Sequence, residues 1–231
     1  MLVVDFAEFS GAPIEVVNNR IANFRQLNQQ DFASFTSDGE FYKQSRSYIY
    51  DSLGGPITTY EFEQKLEQFI PGFVKILRQA PCGDFLDFGA GVGLACEWVV
   101  RQTQLRVTHF DIQSYMSEFA AWRYKKYQLP VTMIHGEPHD FTLPQQYSVI
   151  FTDAVWEHLD PEKQIYYAYK LSDYLINGGI LCMLVDLSGK SATMPMHYDV
   201  DIVAVHNALA QTMNCIFGRN TFASIWIRKT R

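Results

Sequence analysis

The spacing of apolar side chains changes character near residue 80. Before that point it follows a helical period. Ile14, Val17 and Ile21 recur at helical intervals, and a second helical pattern runs from about residue 59 to 79 with an interruption at Pro71-Gly72. Apolar positions repeated every three to four residues indicate amphipathic helices, and a Pro-Gly pair is typical of a helix boundary. Residues 1–79 are therefore expected to form an N-terminal helical cap.

After residue 80, short apolar runs alternate with amphipathic helical patterns. The apolar runs predict strands at residues 84–88, 106–110, 131–135, 147–151 and 179–187. Helical patterns lie between them at 94–102, 114–127 and 161–176, and Asn177-Gly178-Gly179 is expected to end the last of these helices. Alternation of this kind predicts a doubly wound α/β fold with a mostly parallel sheet and right-handed crossovers.

The C-terminal stretch departs from this alternation. A helical pattern at 200–212 is followed by two strand-like segments, 214–218 and 222–229. They are too close together for a crossover helix, so they are expected to form an antiparallel hairpin at the sheet edge. The sequence thus predicts a seven-stranded sheet in a single domain over residues 80–231, with the helical cap in front of it.

Composition narrows the class of partner. The net charge is −6, and the one concentrated basic stretch is the four-residue end at 228–231, so no nucleic-acid partner is expected. No apolar run approaches the roughly 20 residues that a membrane span needs, and the N-terminus has no basic leader. The four cysteines form no CxxC pair and are expected to be reduced packing residues. We expect a cytoplasmic protein, monomeric or homodimeric.

The turn after the first predicted strand reads Asp87-Phe88-Gly89-Ala90-Gly91-Val92-Gly93. In an open α/β sheet, ligands bind outside the carboxyl ends of the strands, so this turn is the first place to look for a cofactor. A dinucleotide fingerprint counted from Gly89 needs a small residue where Leu94 stands, and counted from Gly91 it needs one at Cys96. Both counts fail, which argues against a nicotinamide cofactor.

The G-x-G-x-G spacing with Asp87 two residues ahead of it resembles motif I of class I S-adenosyl-L-methionine (SAM)-dependent methyltransferases. This resemblance implies that SAM is the cofactor. It also implies that Asp87 helps to hold the amino-acid end of SAM and that Gly89, Ala90 and Gly91 lie beside it.

Two further strand ends are expected to contact the cofactor. Asp111 closes the second strand twenty positions after Gly91, where a carboxylate can accept two ribose hydroxyls of either cofactor class. Ile112 would then lie against the adenine, with core packing as the alternative. After the third strand, the resemblance implies an acid for the adenine amino group. Glu137 fits best and Asp140 is the alternative, and the sequence does not separate them.

The exit of the fourth strand carries a second resemblance to the same family. Thr152-Asp153 and the turn Glu157-His158-Leu159 are similar to the segment that follows strand four in class I enzymes, and they imply that Thr152 and Asp153 contact the methionine portion. The resemblance covers about residues 80–186 and does not extend to the first 80.

A general base helps methyl transfer when the acceptor is a hydroxyl or a protonated amine. Two histidines near strand ends four and five are candidates: His158, with a structural role as its alternative, and His197, in a long connection typical of binding loops. Asp199 and Asp201 beside His197 are too small a set to indicate a metal site, and Asp199 is equally a candidate helix cap, so no metal is assigned.

The aromatic segment before residue 55 is a candidate lid. Aromatic rings attract a sulfonium cation, and Tyr50 is the one we favour for closing over SAM, with packing of the cap as the alternative. The function expected is methyl transfer to an oxygen or nitrogen of a small apolar or aromatic metabolite. The alternatives are an NAD-dependent oxidoreductase, a methyltransferase that acts on protein or RNA, and a non-catalytic partner subunit with the same fold.

Overall fold

The computed structural model describes residues 1–56, 58–80, 82–137, 141–192 and 194–230. The helices are α1 Leu2–Ser10, α2 Ile14–Ala22, α3 Phe24–Phe32, α4 Asp38–Gln44, α5 Ile49–Gly54, α6 Thr59–Phe69, α7 Phe73–Gln79, α8 Leu94–Gln102, α9 Tyr115–Lys126, α10 Pro161–Asp173 and α11 Ile202–Thr212. The strands are β1 Asp84–Phe88, β2 Arg106–Asp111, β3 Val131–His135, β4 Tyr147–Asp153, β5 Leu175–Leu184, β6 Met213–Phe217 and β7 Ala223–Arg228.

The seven strands form one sheet in the order β3-β2-β1-β4-β5-β7-β6. The first five strands pair in parallel, and β7 pairs antiparallel with both β5 and β6. The predicted α/β fold and its antiparallel edge hairpin are confirmed. The order reverses between β1 and β4, so the carboxyl ends of these two neighbours mark the topological switch point where a ligand is expected.

Apolar side chains of the sheet alternate between two cores. Phe85 of β1 faces the core that contains Leu2 and Phe6 of α1, whereas its neighbour Leu86 faces the core that contains Leu171 of α10. Successive strand residues point to opposite faces, which is why one short strand contributes to both cores. The helices before β1 therefore share a core with the sheet. The division at residue 79 into two units stays a prediction.

A buried ion-pair group ties the N-terminal helix to the sheet domain. The guanidinium of Arg123 in α9 is fully buried; it pairs with Glu97 of α8 and with Asp5 of α1, and it donates to the carbonyl of Val92. A buried cation with two carboxylate partners satisfies charges that would be costly alone. This group fixes α1 beside the helix that follows the glycine-rich turn.

One predicted boundary is wrong. The helix expected to run to residue 176 ends at Asp173, and Asn177-Gly178-Gly179 lies inside β5 and does not cap the helix. Leu175 already pairs with Tyr147, and the register then shifts so that Ile180 pairs with Val149. The extra residues form an irregularity in the strand, because sheet pairing on both sides of them outweighs the local turn signal.

Three further features bear on the class of protein. Within the described ranges, no helix is long and apolar enough to cross a membrane. In that same part of the chain, no group of three or more His, Cys, Asp or Glu side chains is arranged to hold a metal ion. All four cysteines are free; Cys96 and Cys182 are buried, whereas Cys82 is exposed.

Candidate functional site

The carboxyl ends of β1, β2, β4 and β5 open into one cavity of about 680 Å³. Helices of the N-terminal region contribute the opposite wall, through residues that include Phe24, Tyr48 and Phe62. A cavity of this size at a topological switch point matches the usual dimensions of a small-molecule site.

The glycine-rich turn is shaped by contacts that exclude side chains. Gly89 has φ +78°, and a Cβ there would lie 2.3 Å from Cγ2 of Val155. Gly91 also has a positive φ, +52°, but a Cβ there would have Met116 Cε, at 3.9 Å, as its nearest neighbour. The backbone N–H groups of Gly89 and Ala90 donate to the carbonyl of Phe110, so β2 fixes the turn. Gly91 therefore leaves room for a ligand to approach the backbone.

Asp111 closes β2 and faces this turn. Its carboxylate accepts the backbone N–H of Gly91 at 2.5 Å and that of Ile112 at 2.7 Å. Burial raises the pKa of Asp111 to about 6, and the two backbone hydrogen bonds oppose that rise. Each carboxylate oxygen has more than one lone pair, so both can also accept a hydroxyl. The predicted residues Asp111 and Ile112 both line the cavity.

Asp87 lies at the end of β1 and is almost completely buried in the cavity wall. The thiol of Cys96 donates to its carboxylate at 3.4 Å. Burial raises the pKa of Asp87 to about 8, and the nearby carboxylates of Asp153 and Asp111 raise it further. Among the described residues, no cationic side chain pairs with Asp87. A positively charged ligand group beside Asp87 would supply the missing countercharge.

The segment after β3 contains the two acids considered for the adenine amino group. Gly136 lines the cavity, but the carboxylate of Glu137 points to Lys43, with which it forms an exposed ion pair at 2.6 Å. The alternative, Asp140, lies outside the described residues. The assignment of either acid to adenine stays a prediction.

The two residues at the end of β4 differ in environment. Thr152 is fully buried, and its hydroxyl accepts the indole N–H of Trp156 at 3.1 Å, so its side chain stabilises the turn that follows. Asp153 lines the cavity, where its carboxylate pairs with Lys65 of α6 at 2.6 Å. A contact between Thr152 and a ligand would have to use its backbone.

His158 lines the cavity between two tyrosines. The Tyr42 hydroxyl lies 2.6 Å from Nδ1 of His158 and donates its proton to the carbonyl of Met196, so it accepts the Nδ1 proton. Nε2 is then the acceptor of the Tyr48 hydroxyl at 2.9 Å. Burial lowers the pKa of His158 to about 3. Because both ring nitrogens are engaged, this geometry suits a neutral positioning group better than a direct base.

His197, the second predicted base, lies beside His158 with their ring centroids 4.9 Å apart. Its Nδ1 is 3.9 Å from a carboxylate oxygen of Asp186 and has no hydrogen-bond partner in the described structure. Burial lowers the pKa of His197. Asp199 lies beside the loop backbone and Asp201 caps α11, where it accepts the N–H of Ala204.

Tyr50, the predicted lid, is not among the residues that line the cavity. It is buried against Phe6, and its hydroxyl accepts from Arg20 at 2.7 Å. The idea that Tyr50 closes over the cofactor stays a prediction. In this structure, Tyr42 and Tyr48 of the same aromatic segment reach the cavity.

Three acids and two basic residues of the cavity wall were not predicted from the sequence: Asp51, Glu157, Asp186, Arg25 and Lys65. Glu157 stands next to His158 in the recognised Glu-His-Leu turn, and Asp51 follows the aromatic run, so both had a local signal. Asp186 and Lys65 had none, because their positions depend on packing of distant elements.

Residues 85–179 match the model of a family described as a methyltransferase domain. No curated protein matches the chain. Among solved structures, the chain is similar to the PH0226 protein from Pyrococcus horikoshii OT3, with 13% identity over 86% of this chain and 98% of that one and a TM-score of 0.61.

Two further solved structures are similar. N-methyltransferase NodS from Bradyrhizobium japonicum WM9, in complex with S-adenosyl-L-homocysteine (SAH), has 14% identity over 90% of this chain and 100% of that one, with a TM-score of 0.57. An O-methyltransferase family protein from Burkholderia thailandensis has 11% identity over 91% and 71%, with a TM-score of 0.59. At these identities the similarity establishes the fold.

The residues of the cavity fit SAM. Asp111 offers two carboxylate oxygens to ribose hydroxyls, Asp87 offers a countercharge to the methionine ammonium, and the open side of Gly91 allows close approach to the backbone. When bound, SAM supplies an activated methyl group on a sulfonium. The family model matched over residues 85–179, the seven-stranded sheet and this fit lead to one conclusion: the chain carries a methyltransferase domain with the class I fold and uses SAM as its cofactor.

Proposed function

We propose that this methyltransferase transfers the methyl group to an oxygen or nitrogen atom of a small apolar or aromatic metabolite. One observation carries the proposal. The cavity that contains Asp87, Gly91 and Asp111 is also walled by aromatic side chains of the N-terminal region, including Phe24 and Phe62. Aromatic walls provide apolar contact area for a ring or alkyl chain. They also exclude water from the reacting atoms.

The charge of the cavity supports a small acceptor over RNA. Within the described structure, six carboxyl side chains line the cavity, against Arg25 and Lys65 as its lysine and arginine side chains. The net charge of the whole chain is −6. A polyanion would be repelled by such a surface, since nucleic-acid binding depends on clustered Lys and Arg.

The test is direct. Purified protein is titrated calorimetrically with SAH and with NAD(H), and it is then incubated with SAM and separate panels of phenols, alcohols, amines, unfolded protein and bulk RNA, with SAH release as the readout. We expect SAH to bind, NAD(H) not to bind, and turnover with small molecules. Turnover confined to protein or RNA would overturn the proposal.

A further inference from the structure

The cavity wall contains more acid than the cofactor and the protein's own cations can neutralise. Asp87, Asp111 and Asp153 lie at the carboxyl ends of β1, β2 and β4, on the cofactor side, and Lys65 pairs with Asp153. SAM itself carries a sulfonium and an ammonium against one carboxylate. Three more carboxyl groups line the same cavity from other elements: Asp51 from α5, Glu157 from the turn after β4, and Asp186 from the loop after β5.

Glu157 is the best placed of these to meet a ligand. Its side chain is 1% exposed, and its Oε2 has no hydrogen-bond partner within the described structure. The backbone N–H groups of Glu157 and Asp186 lie near this carboxyl group and favour its charged form. An unpartnered oxygen of this kind is costly to bury, so it marks a position where a donor is missing.

The charged groups that act on Glu157 are themselves acids and do not provide a cationic hydrogen-bond donor. Burial raises the pKa of Glu157 to about 8, and repulsion from Asp186 and Asp153 adds to the rise. Burial raises the pKa of Asp51 to about 6; Arg25 opposes this, and Asp186 adds to it. Asp186 thus raises the pKa of both Glu157 and Asp51, while positive charge near these carboxyl groups is scarce.

We propose that the methyl acceptor carries a protonated amine, which donates to Glu157 and is surrounded by the carboxyl groups of Asp51 and Asp186. This inference rests on the proposed function and narrows it to N-methylation. An ammonium has several N–H groups and a positive charge. It therefore supplies the hydrogen-bond donor that Glu157 lacks and the positive charge that the three acids lack. An uncharged hydroxyl would supply one donor and leave the repulsion between the acids in place.

The same residue has a place in the reaction. An ammonium nitrogen has no lone pair, so it must lose a proton before it accepts a methyl group. The positive charge of the bound ammonium favours the carboxylate form of Glu157, which takes that proton, and the freed lone pair then bonds to the methyl carbon. The electrons of the broken carbon–sulfur bond stay on sulfur. The products are an N-methylammonium and SAH, and Glu157 later returns its proton to solvent. His158 is less suited to this step because both its ring nitrogens are engaged by tyrosines.

The experiment compares matched acceptors on matched variants. Wild type, Glu157→Gln and the control Glu162→Gln, an exposed residue of α10, are saturated with SAH. Each is titrated calorimetrically with 2-phenylethylamine and 2-phenylethanol, and with tyramine and its alcohol analogue. Methylation of the same compounds is measured separately with SAM. Thermal unfolding with SAH present shows whether each variant is folded. If Glu157→Gln does not fold, Asp51→Asn takes its place.

We expect the amines to bind wild type at least tenfold more tightly than their alcohols, because a charge-assisted hydrogen bond is lost in the alcohol. Glu157→Gln should remove this preference and leave the affinity for SAH unchanged, whereas Glu162→Gln should keep it. A preference that survives Glu157→Gln, or methylation of hydroxyl compounds alone, would overturn the inference and leave the proposed function standing. If neither class binds while SAH does, the small-molecule proposal is overturned as well.

Discussion

Replacement of Asp111 by alanine tests most directly whether the cavity at the ends of β1 and β2 binds SAM. Its carboxylate accepts the N–H groups of Gly91 and Ile112 at 2.5 and 2.7 Å and is the group expected to bind the two ribose hydroxyls. A hydrogen bond to a charged group contributes about 1.5–3 kcal/mol, so two ribose bonds amount to roughly 3–6 kcal/mol before water compensates part of the loss. We therefore expect the Kd for SAH to rise at least about 100-fold, equivalent to about 2.7 kcal/mol.

The assay is calorimetric titration of SAH at pH 7.5, above the pKa of about 6 that burial gives Asp111, so that the wild-type carboxylate is charged. As the pH falls below 6, the wild-type carboxylate becomes protonated, and the difference between wild type and variant should narrow. Asp84→Ala is the matched control. It removes a carboxylate from the opposite end of neighbouring β1, where Asp84 pairs with exposed Arg106.

If Asp111→Ala is folded by thermal unfolding and its Kd for SAH changes less than threefold, Asp111 does not bind the ribose. Other groups of the cavity would then have to bind the cofactor. A similar loss in Asp84→Ala would show that the effect comes from general destabilisation of the sheet.

Four other predictions concern buried charges. Burial raises the pKa of Asp87 to about 8, and the ammonium of SAH should lower it, so SAH binding at pH 7 should release protons. Calorimetry in buffers of different ionisation enthalpy detects this release. Asp87→Asn should abolish it, and proton uptake by wild type would contradict the assignment. By the same shift, unbound wild type should lose stability as the pH rises from about 4 to 8, and Asp87→Asn should flatten that loss in denaturant titrations. Arg123→Met, which removes the buried partner of Glu97 and leaves the partly exposed Arg101 paired with it, should lower the free energy of unfolding by up to about 3–5 kcal/mol. The exposed Arg106→Met should have a much smaller effect on stability, and equal effects would contradict the burial argument. His158 should stay neutral from pH 8 down to about 5 in NMR titrations, since its pKa is lowered to about 3; a midpoint near 6.5 would disprove this.

Much of the site could be predicted because its signals are local. Asp87, Gly89 and Gly91 are separated by two or four positions, and strand β1 places them at one turn. Asp111 ends a strand that the apolar pattern already marked, and the two observed bonds from Gly91 and Ile112 need only the pairing of β1 with β2. The helix end at Asp173 was not predicted, because pairing of Leu175 with Tyr147 outweighed the turn residues that follow.

The sequence by itself determined the alternation of helices and strands, the sheet type, the glycine turn and the acid at the second strand end. These depend on backbone preferences and on residues close together in the chain. Only the tertiary structure decided that Tyr42 and Tyr48 enclose His158 from positions 116 and 110 residues away, and that Lys65 neutralises Asp153. The physical reason is that such contacts depend on how the N-terminal helices bury their apolar faces against the sheet, and many sequences satisfy that burial without fixing which polar groups meet.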